Sequence, residues 1–146
     1  FSAEDFARSH PGGALGRRLL ICVRDVMRTG AQLPRVNQRS TVFEALFEMT
    51  DKRLGMTAIV DDAGRIQGIF TDGDLRRTLE KRSDLKRLPI SEVMVRKPRT
   101  IQADRLAVEA VEQMELHRIN QLLVADNHDT LIGALNMHDL FNAKVM

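Results

Sequence analysis

Residues 33–80 lie over residues 98–145 at a constant offset of 65 with no gap, and eight positions coincide: Glu44/Glu109, Ala45/Ala110, Met49/Met114, Arg53/Arg118, Asp61/Asp126, Gly68/Gly133, Asp74/Asp139 and Leu75/Leu140. Between the identities the polarity is kept, with Val36/Ile101, Leu46/Val111, Leu54/Ile119, Ile59/Val124 and Ile66/Leu131 apolar in both copies. This is one supersecondary unit used twice. Two copies are too few for a solenoid, whose units need several neighbours to bury their faces. They suit a pseudo-twofold pair in which each copy covers the apolar face the other leaves open.

The pattern inside a copy repeats as well. A short extended piece, Pro34-Arg35-Val36 or Arg99-Thr100-Ile101, leads to a candidate helix N-cap at Ser40 or Asp104, whose side-chain oxygen can accept from an early helix N–H. Val42, Ala45, Leu46 and Met49, then Ala107, Ala110, Val111 and Met114, fall at i, i+3, i+4, i+7 and line one face of a helix. Two apolar runs follow in each copy, Thr57–Val60 and Arg65–Phe70, or Leu122–Ala125 and Thr130–Leu135. They are split by Asp61-Asp62-Ala63-Gly64 and Asp126-Asn127-His128-Asp129, which read as hairpin turns. A last helix starts near Thr71 or Asn136 and carries Leu75/Leu79 or Leu140. The unit reads β-α-β-β-α, a mixed α/β (α+β) fold. Ile90-Ser91-Glu92-Val93-Met94 echoes Val23-Arg24-Asp25-Val26-Met27, so each copy is led in by a short helical turn ending in Val-Met.

Composition removes several classes. The single Cys22 of 146 residues closes no intrachain disulfide and fits a reducing, cytoplasmic setting. The longest apolar runs, Leu19–Val23 and Leu122–Ala125, fall far short of the ~20 residues that span a bilayer, so no membrane partner is expected. A net charge of +2, basic pairs interleaved with acids, and no Trp or Tyr give a weak nucleic-acid footprint and no stacking platform beyond six Phe. His117, His128 and His138 lack metal-ligand spacing, so no metal site is expected. The start, Phe1-Ser2-Ala3-Glu4-Asp5-Phe6, lacks an initiator Met and a signal-peptide layout. Ser2–Asp5 forms a candidate capping box for a short helix stopped at Pro11-Gly12-Gly13. The sequence is expected to be a piece of a longer chain.

The chemistry concentrates where a strand hands over to a helix, in Gly68-Ile69-Phe70-Thr71-Asp72-Gly73-Asp74-Leu75 and its counterpart Gly133-Ala134-Leu135-Asn136-Met137-His138-Asp139-Leu140. Unpaired N–H groups and the positive end of a helix dipole favour an anion there. Thr71 offers a hydroxyl to a phosphate, and Asp74 a carboxylate that can accept both hydroxyls of a ribose. The plainer reading is that Thr71 only caps its helix and Asp74 only complements the dipole. Arg76 and Arg77 follow, either within reach of a phosphate tail or as a solvated helix face.

Glycine, two apolar residues, Thr71, two residues and Asp74 resemble the signature of cystathionine-β-synthase (CBS) modules, and the span from Val23 to Val145 resembles a tandem CBS pair. The resemblance implies two β-α-β-β-α modules packed sheet to sheet about a pseudo-twofold axis, and nucleotide binding in which Thr71 takes the phosphate and Asp74 the ribose, with Asn136 and Asp139 at the matching positions of the second copy and Arg76 a further candidate beside them. In the second copy Asn136 stands where the family has Ser or Thr, while Asp139 keeps the ribose position. Ser2–Gly16, with the Ser9-His10-Pro11-Gly12-Gly13 segment, joined to Gly68–Arg77 and Asn136–Leu140, is similar to the C-terminal half of D-arabinose 5-phosphate isomerases, which carry a sugar-isomerase (SIS) domain before a CBS pair.

That second resemblance implies residues 1–20 as linker and tail of an SIS domain, 21–84 as the first module and 85–146 as the second. It implies a parent enzyme interconverting D-ribulose 5-phosphate and D-arabinose 5-phosphate toward 3-deoxy-D-manno-octulosonate (Kdo) for lipopolysaccharide. His10 is then a candidate acid/base in that parent, since imidazole titrates near neutrality. The 146 residues, lacking the SIS domain, are expected not to turn over substrate. No cofactor is required, and the expected ligand is an adenine or cytidine nucleotide: AMP, ATP or CMP-Kdo. A homo-oligomer is expected, a dimer of CBS pairs within a parent tetramer. The rival reading is an assembly module with empty clefts.

Overall fold

The computed structural model describes residues 20–145, so His10, the Ser2–Asp5 capping box and the Pro11-Gly12-Gly13 stop lie outside the described residues. Helix α1 (Val23–Val26) and a 3-10 turn (Gly30–Gln32) precede β1 (Arg35–Asn37), α2 (Val42–Lys52), β2 (Met56–Val60), β3 (Ile66–Thr71) and α3 (Asp72–Lys81). A second 3-10 turn (Ile90–Glu92) and β4 (Val95–Arg96) precede β5 (Thr100–Ile101), α4 (Ala107–His117), β6 (Gln121–Ala125), β7 (Leu131–Asn136) and α5 (Met137–Asn142). Each copy is β-α-β-β-α. Its first strand runs parallel to the second, across the helix, and the second pairs antiparallel with the third.

Local chemistry explains the hairpins. Asp61 Oδ1 accepts from the N–H groups of Ala63 and Arg65 at 2.9 Å, and Asp126 Oδ1 from those of His128 and Thr130 at 2.9 and 3.0 Å, so each aspartate ties its own turn. Gly64 (φ 82°) and Asp129 (φ 63°) supply the left-handed residue. The two hairpins then meet. Ile66 N–H donates to the Asp129 carbonyl and Leu131 N–H to the Gly64 carbonyl, both at 3.0 Å. These are the same bond with the copies interchanged, and they mark the pseudo-twofold axis. Between the sheets, Met56, Ala58, Ile66 and Ile69 share one buried cluster with Leu123, Ala125, Leu131 and Ala134, so neither copy buries this face alone.

Two details differ from the sequence expectation. The cap of α2 is Thr41 rather than Ser40. Thr41 Oγ1 accepts from Glu44 N–H at 3.2 Å and Glu44 Oε1 accepts from Thr41 N–H at 3.1 Å, a closed capping box, whereas Ser40 N–H is spent on the Asn37 carbonyl. The cap of α4 is Leu106, not Asp104. Leucine has no side-chain acceptor, so only half the box forms, with Glu109 Oε2 accepting from Leu106 N–H at 2.8 Å.

The rest of that helix end is completed from far away in the chain, and the lead-in turns are exchanged. Ala107 N–H donates to the Ile21 carbonyl and Val23 N–H to that of Arg105, both at 2.8 Å. In the first copy Val42 N–H donates to the Leu88 carbonyl and Ile90 N–H to that of Ser40, also at 2.8 Å. The turn ahead of the first copy therefore packs on the second, with Val23 buried among Ala107, Ala110 and Met114. The turn ahead of the second packs on the first, with Ile90 buried among Val42, Ala45 and Met49. The repeated glycines exist for this contact. A Cβ on Gly133 would lie 2.4 Å from Met27 Sδ, and one on Gly68 would lie 2.7 Å from Met94 Sδ.

Candidate functional site

At the first strand-to-helix junction Thr71 is the N-cap of α3. Its Oγ1 accepts from Asp74 N–H at 3.2 Å and donates to Asp74 Oδ2 at 3.0 Å, while that same oxygen accepts from Thr71 N–H at 2.9 Å. Asp74 is buried at 7% exposure, and its other oxygen, Oδ1, pairs with the Arg77 guanidinium one turn along. Asp72 N–H donates to the Gly55 carbonyl at 3.0 Å. The capping role thus falls on the residues singled out for a ligand, and the N–H groups of Asp72 and Asp74 are already spent. Attraction for an anion at this junction rests mainly on side chains.

Those side chains are present. The junction opens on a cleft of about 1070 Å³ with one wall from the first copy, one from the segment that runs from the edge of the first sheet into the second copy, and one from the second copy. Thr71, Asp74, Arg76 and Arg77 form one wall, and the strand and turn from Val95 to Arg99 the next. The α4–β6 turn, His117 to Gln121, forms the third. Arg76, Arg77, Lys97, Arg99 and Arg118 stand against Asp72 and Asp74, so the cleft carries a net positive field that concentrates anions. Ile69, Val95 and Ile119 give it an apolar patch. Such a cleft, part apolar and cation-rich with one buried carboxylate, suits a molecule with a flat base, a diol and negative charge.

Of the residues singled out from sequence, Thr71, Asp74 and Arg76 meet in this cleft, with Arg77 beside them. Asn136 and Asp139 sit at the equivalent junction of the second copy. Asn136 caps α5, its Oδ1 accepting from Asp139 N–H at 2.8 Å, and Asp139 Oδ2 accepts from Asn136 N–H at 3.2 Å. The amide therefore replaces threonine as a cap. Lys97, Arg99, His117 and Arg118 were not reached by sequence reasoning. Arg118 had a signal: it is one of the repeat identities with Arg53, and both hold a left-handed helix C-cap (φ 53° and 57°), where glycine or asparagine is the usual choice.

The repeat and the exchanged turns define a tandem pair of one small α/β module, and the CBS domain model matches residues 23–81 and 90–145. The chain belongs to the CBS domain family, as a tandem pair. Over all 146 residues it is 53% identical to arabinose 5-phosphate isomerase KdsD of Pseudomonas aeruginosa, and it spans 45% of that protein's length. A solved CBS domain protein of Pyrobaculum aerophilum complexed with AMP superposes with a TM-score of 0.74 at 22% identity, covering 82% of this chain and 90% of that one. The CBS pair of MJ0100, solved with 5′-methylthioadenosine and S-adenosyl-L-methionine, gives 0.73 at 21% identity over 83% of this chain and 97% of that one. Among the described residues no helix is long and apolar enough to cross a membrane.

Proposed function

We propose that the chain is the nucleotide-sensing regulatory pair of an arabinose 5-phosphate isomerase. In this reading a parent enzyme interconverts D-ribulose 5-phosphate and D-arabinose 5-phosphate in the cytoplasm on the route to Kdo and lipopolysaccharide, with His10 serving its catalytic domain as acid/base. Similarity over all 146 residues to the matching 45% of KdsD supports the parent. The observation that carries the sensing role is the cation-rich cleft around the buried Asp74.

Binding is read as follows. The Arg77 side chain is 68% exposed and the Asp74 side chain 8%, so the guanidinium is free to swing into solvent once other donors take its place on the buried Asp74 Oδ1. The carboxylate then accepts the ribose hydroxyls, the released guanidinium joins Arg76, Lys97 and Arg118 around the phosphates, and the base rests on Ile69, Val95 and Ile119. AMP, ATP and CMP-Kdo all have the required charge and diol. Because the cleft has walls from both copies, a ligand there changes how the copies sit together, and through them the oligomer of the parent.

Thermal unfolding with AMP, ATP, CMP and CMP-Kdo tests this. A ligand at 100 times its Kd adds about 2.7 kcal/mol to the folded state, and Asp74→Ala removes that rise. No rise with any of the four favours the second reading, assembly of a homo-oligomer without a ligand. That reading draws on the exposed apolar side chains Phe47, Leu79, Leu116 and Phe141.

A further inference from the structure

The two junctions are related by the repeat, yet their carboxylates have different partners. Val95 pairs with Ile69 at the edge of the first sheet, and Arg28 pairs with Ala134 at the edge of the second. Ile69 and Ala134 are offset partners, so Arg28 occupies the place that Val95 has at the first cleft. Its backbone holds it there through Arg28 N–H to the Ala134 carbonyl at 2.8 Å and Ala134 N–H to the Arg28 carbonyl at 3.2 Å. The Arg28 guanidinium grips Asp139 in a two-point bond, Nε donating to Oδ2 at 3.3 Å and Nη2 to Oδ1 at 2.9 Å, and its Nη1 donates to the Lys52 carbonyl at 3.2 Å.

We infer that Arg28 is a built-in occupant of the second cleft, taking the carboxylate edge of Asp139 that a ribose would otherwise use, so that each chain offers a single ligand cleft, the one at Thr71 and Asp74. This rests on the nucleotide reading of that first cleft. Two further differences point the same way. Arg77 reaches Asp74 from an exposed position on the same helix and is fixed by no other bond among the described residues, whereas Arg28 is 26% exposed, bridges two copies and has three donors engaged. Of the cations of the first cleft, Arg118 keeps a counterpart in Arg53, but Arg76 and Arg77 become Phe141 and Asn142. Lys97 becomes Gly30, the two sharing a left-handed backbone (φ 51° and 55°). Lys52, which replaces His117, is paired with Glu48 at 2.9 Å. An internal cation thus stands where the first cleft admits an external diol.

Equilibrium dialysis of the 146-residue chain with ATP and with CMP-Kdo tests the stoichiometry. A single bound equivalent per chain, lost in Asp74→Ala and kept in Asp139→Ala, is expected; two equivalents, or loss in Asp139→Ala, would overturn the inference. Transplanting the device gives a sharper arm. Val95 is exposed, so the fold accepts Val95→Arg and Val95→Gln; both disturb the seat of the base, but only the arginine also sets a guanidinium against Asp74, so binding falls much further in Val95→Arg than in Val95→Gln, and equal binding by both overturns the inference. A third arm needs no ligand. Arg28→Val and Asp139→Asn each lower the melting temperature, and the double variant falls by less than the sum of the two, as groups in direct contact require. Additive losses refute the pairing. A wild-type chain that binds neither nucleotide defeats the nucleotide reading alone, and the ligand-free cycle still decides whether Arg28 holds Asp139.

Discussion

Replacing Ile90 by alanine tests the exchange of lead-in turns. Ile90 stands just ahead of the second copy in the chain, but its side chain is fully buried and packs with Val42, Ala45, Met49 and Phe70 of the first. Isoleucine-to-alanine substitution in a core that cannot fully collapse costs about 2–5 kcal/mol, from lost transfer energy plus the cavity left behind. For a chain of this size each kcal/mol lowers the melting temperature by roughly 2–4 °C, so a drop of about 5–15 °C is expected by calorimetry. Location is the sharper readout. Val42 N–H and Phe43 N–H donate to the carbonyls of Leu88 and Leu85 on the segment that Ile90 anchors, so loosening that segment strips protection from the first turn of α2. Native-state hydrogen exchange resolves such partial openings. Ile90→Ala should speed exchange at Val42 and Phe43 more than at Ala107 and Val108. Faster exchange confined to the start of α4 would show that the turn serves the copy it precedes in sequence, and would refute the exchanged arrangement.

Three further expectations follow from local geometry. Gly133→Ala drives a Cβ to 2.4 Å from Met27 Sδ, and because the methionine end is flexible the cost should be about 1–3 kcal/mol, partly relieved by adding Met27→Ala; an uncompensated loss in denaturant titrations would mean that backbone resists instead. Thr41→Ala opens the capping box of α2 and should cost about 0.5–2 kcal/mol, while Ser40→Ala should be near neutral, which urea unfolding separates. The Asp126 carboxyl is held below the ordinary carboxylate range, chiefly by the backbone N–H of Thr130 and then by that of His128. A depressed folded-state pKa stabilises above the unfolded value, about 3.9, and that contribution disappears as pH falls through the folded one. Asp126→Asn should therefore lower the melting temperature at pH 7 and converge with the wild type in strong acid; a constant difference at all pH values would remove the charge from the explanation.

Periodicity and capping chemistry act within a few residues, and there the sequence was legible. The i, i+3, i+4, i+7 faces of Val42–Met49 and Ala107–Met114, the turns at Asp61 and Asp126, and the caps Thr71 and Asn136 all stand where the repeat puts them. The cap at Ser40 is one residue early because Thr41 and Glu44 form the better box. Asp104 misses because α4 takes its first acceptor from Ile21, some 86 residues away in the chain, and no local pattern encodes that distance.

Order along the chain was enough to establish that a β-α-β-β-α unit is used twice and that a threonine and an aspartate stand at its strand-to-helix junction, because hydrophobic period and side-chain-to-backbone bonds are properties of neighbours. Which turn covers which copy, which arginines and lysines gather around Asp74, and that Asp139 is met by Arg28 across 111 residues emerged only in three dimensions. Those pairings depend on how two folded units dock. A repeat that reads as symmetric along the chain is thereby given one cleft with a solvent-facing arginine and another with an arginine locked in place.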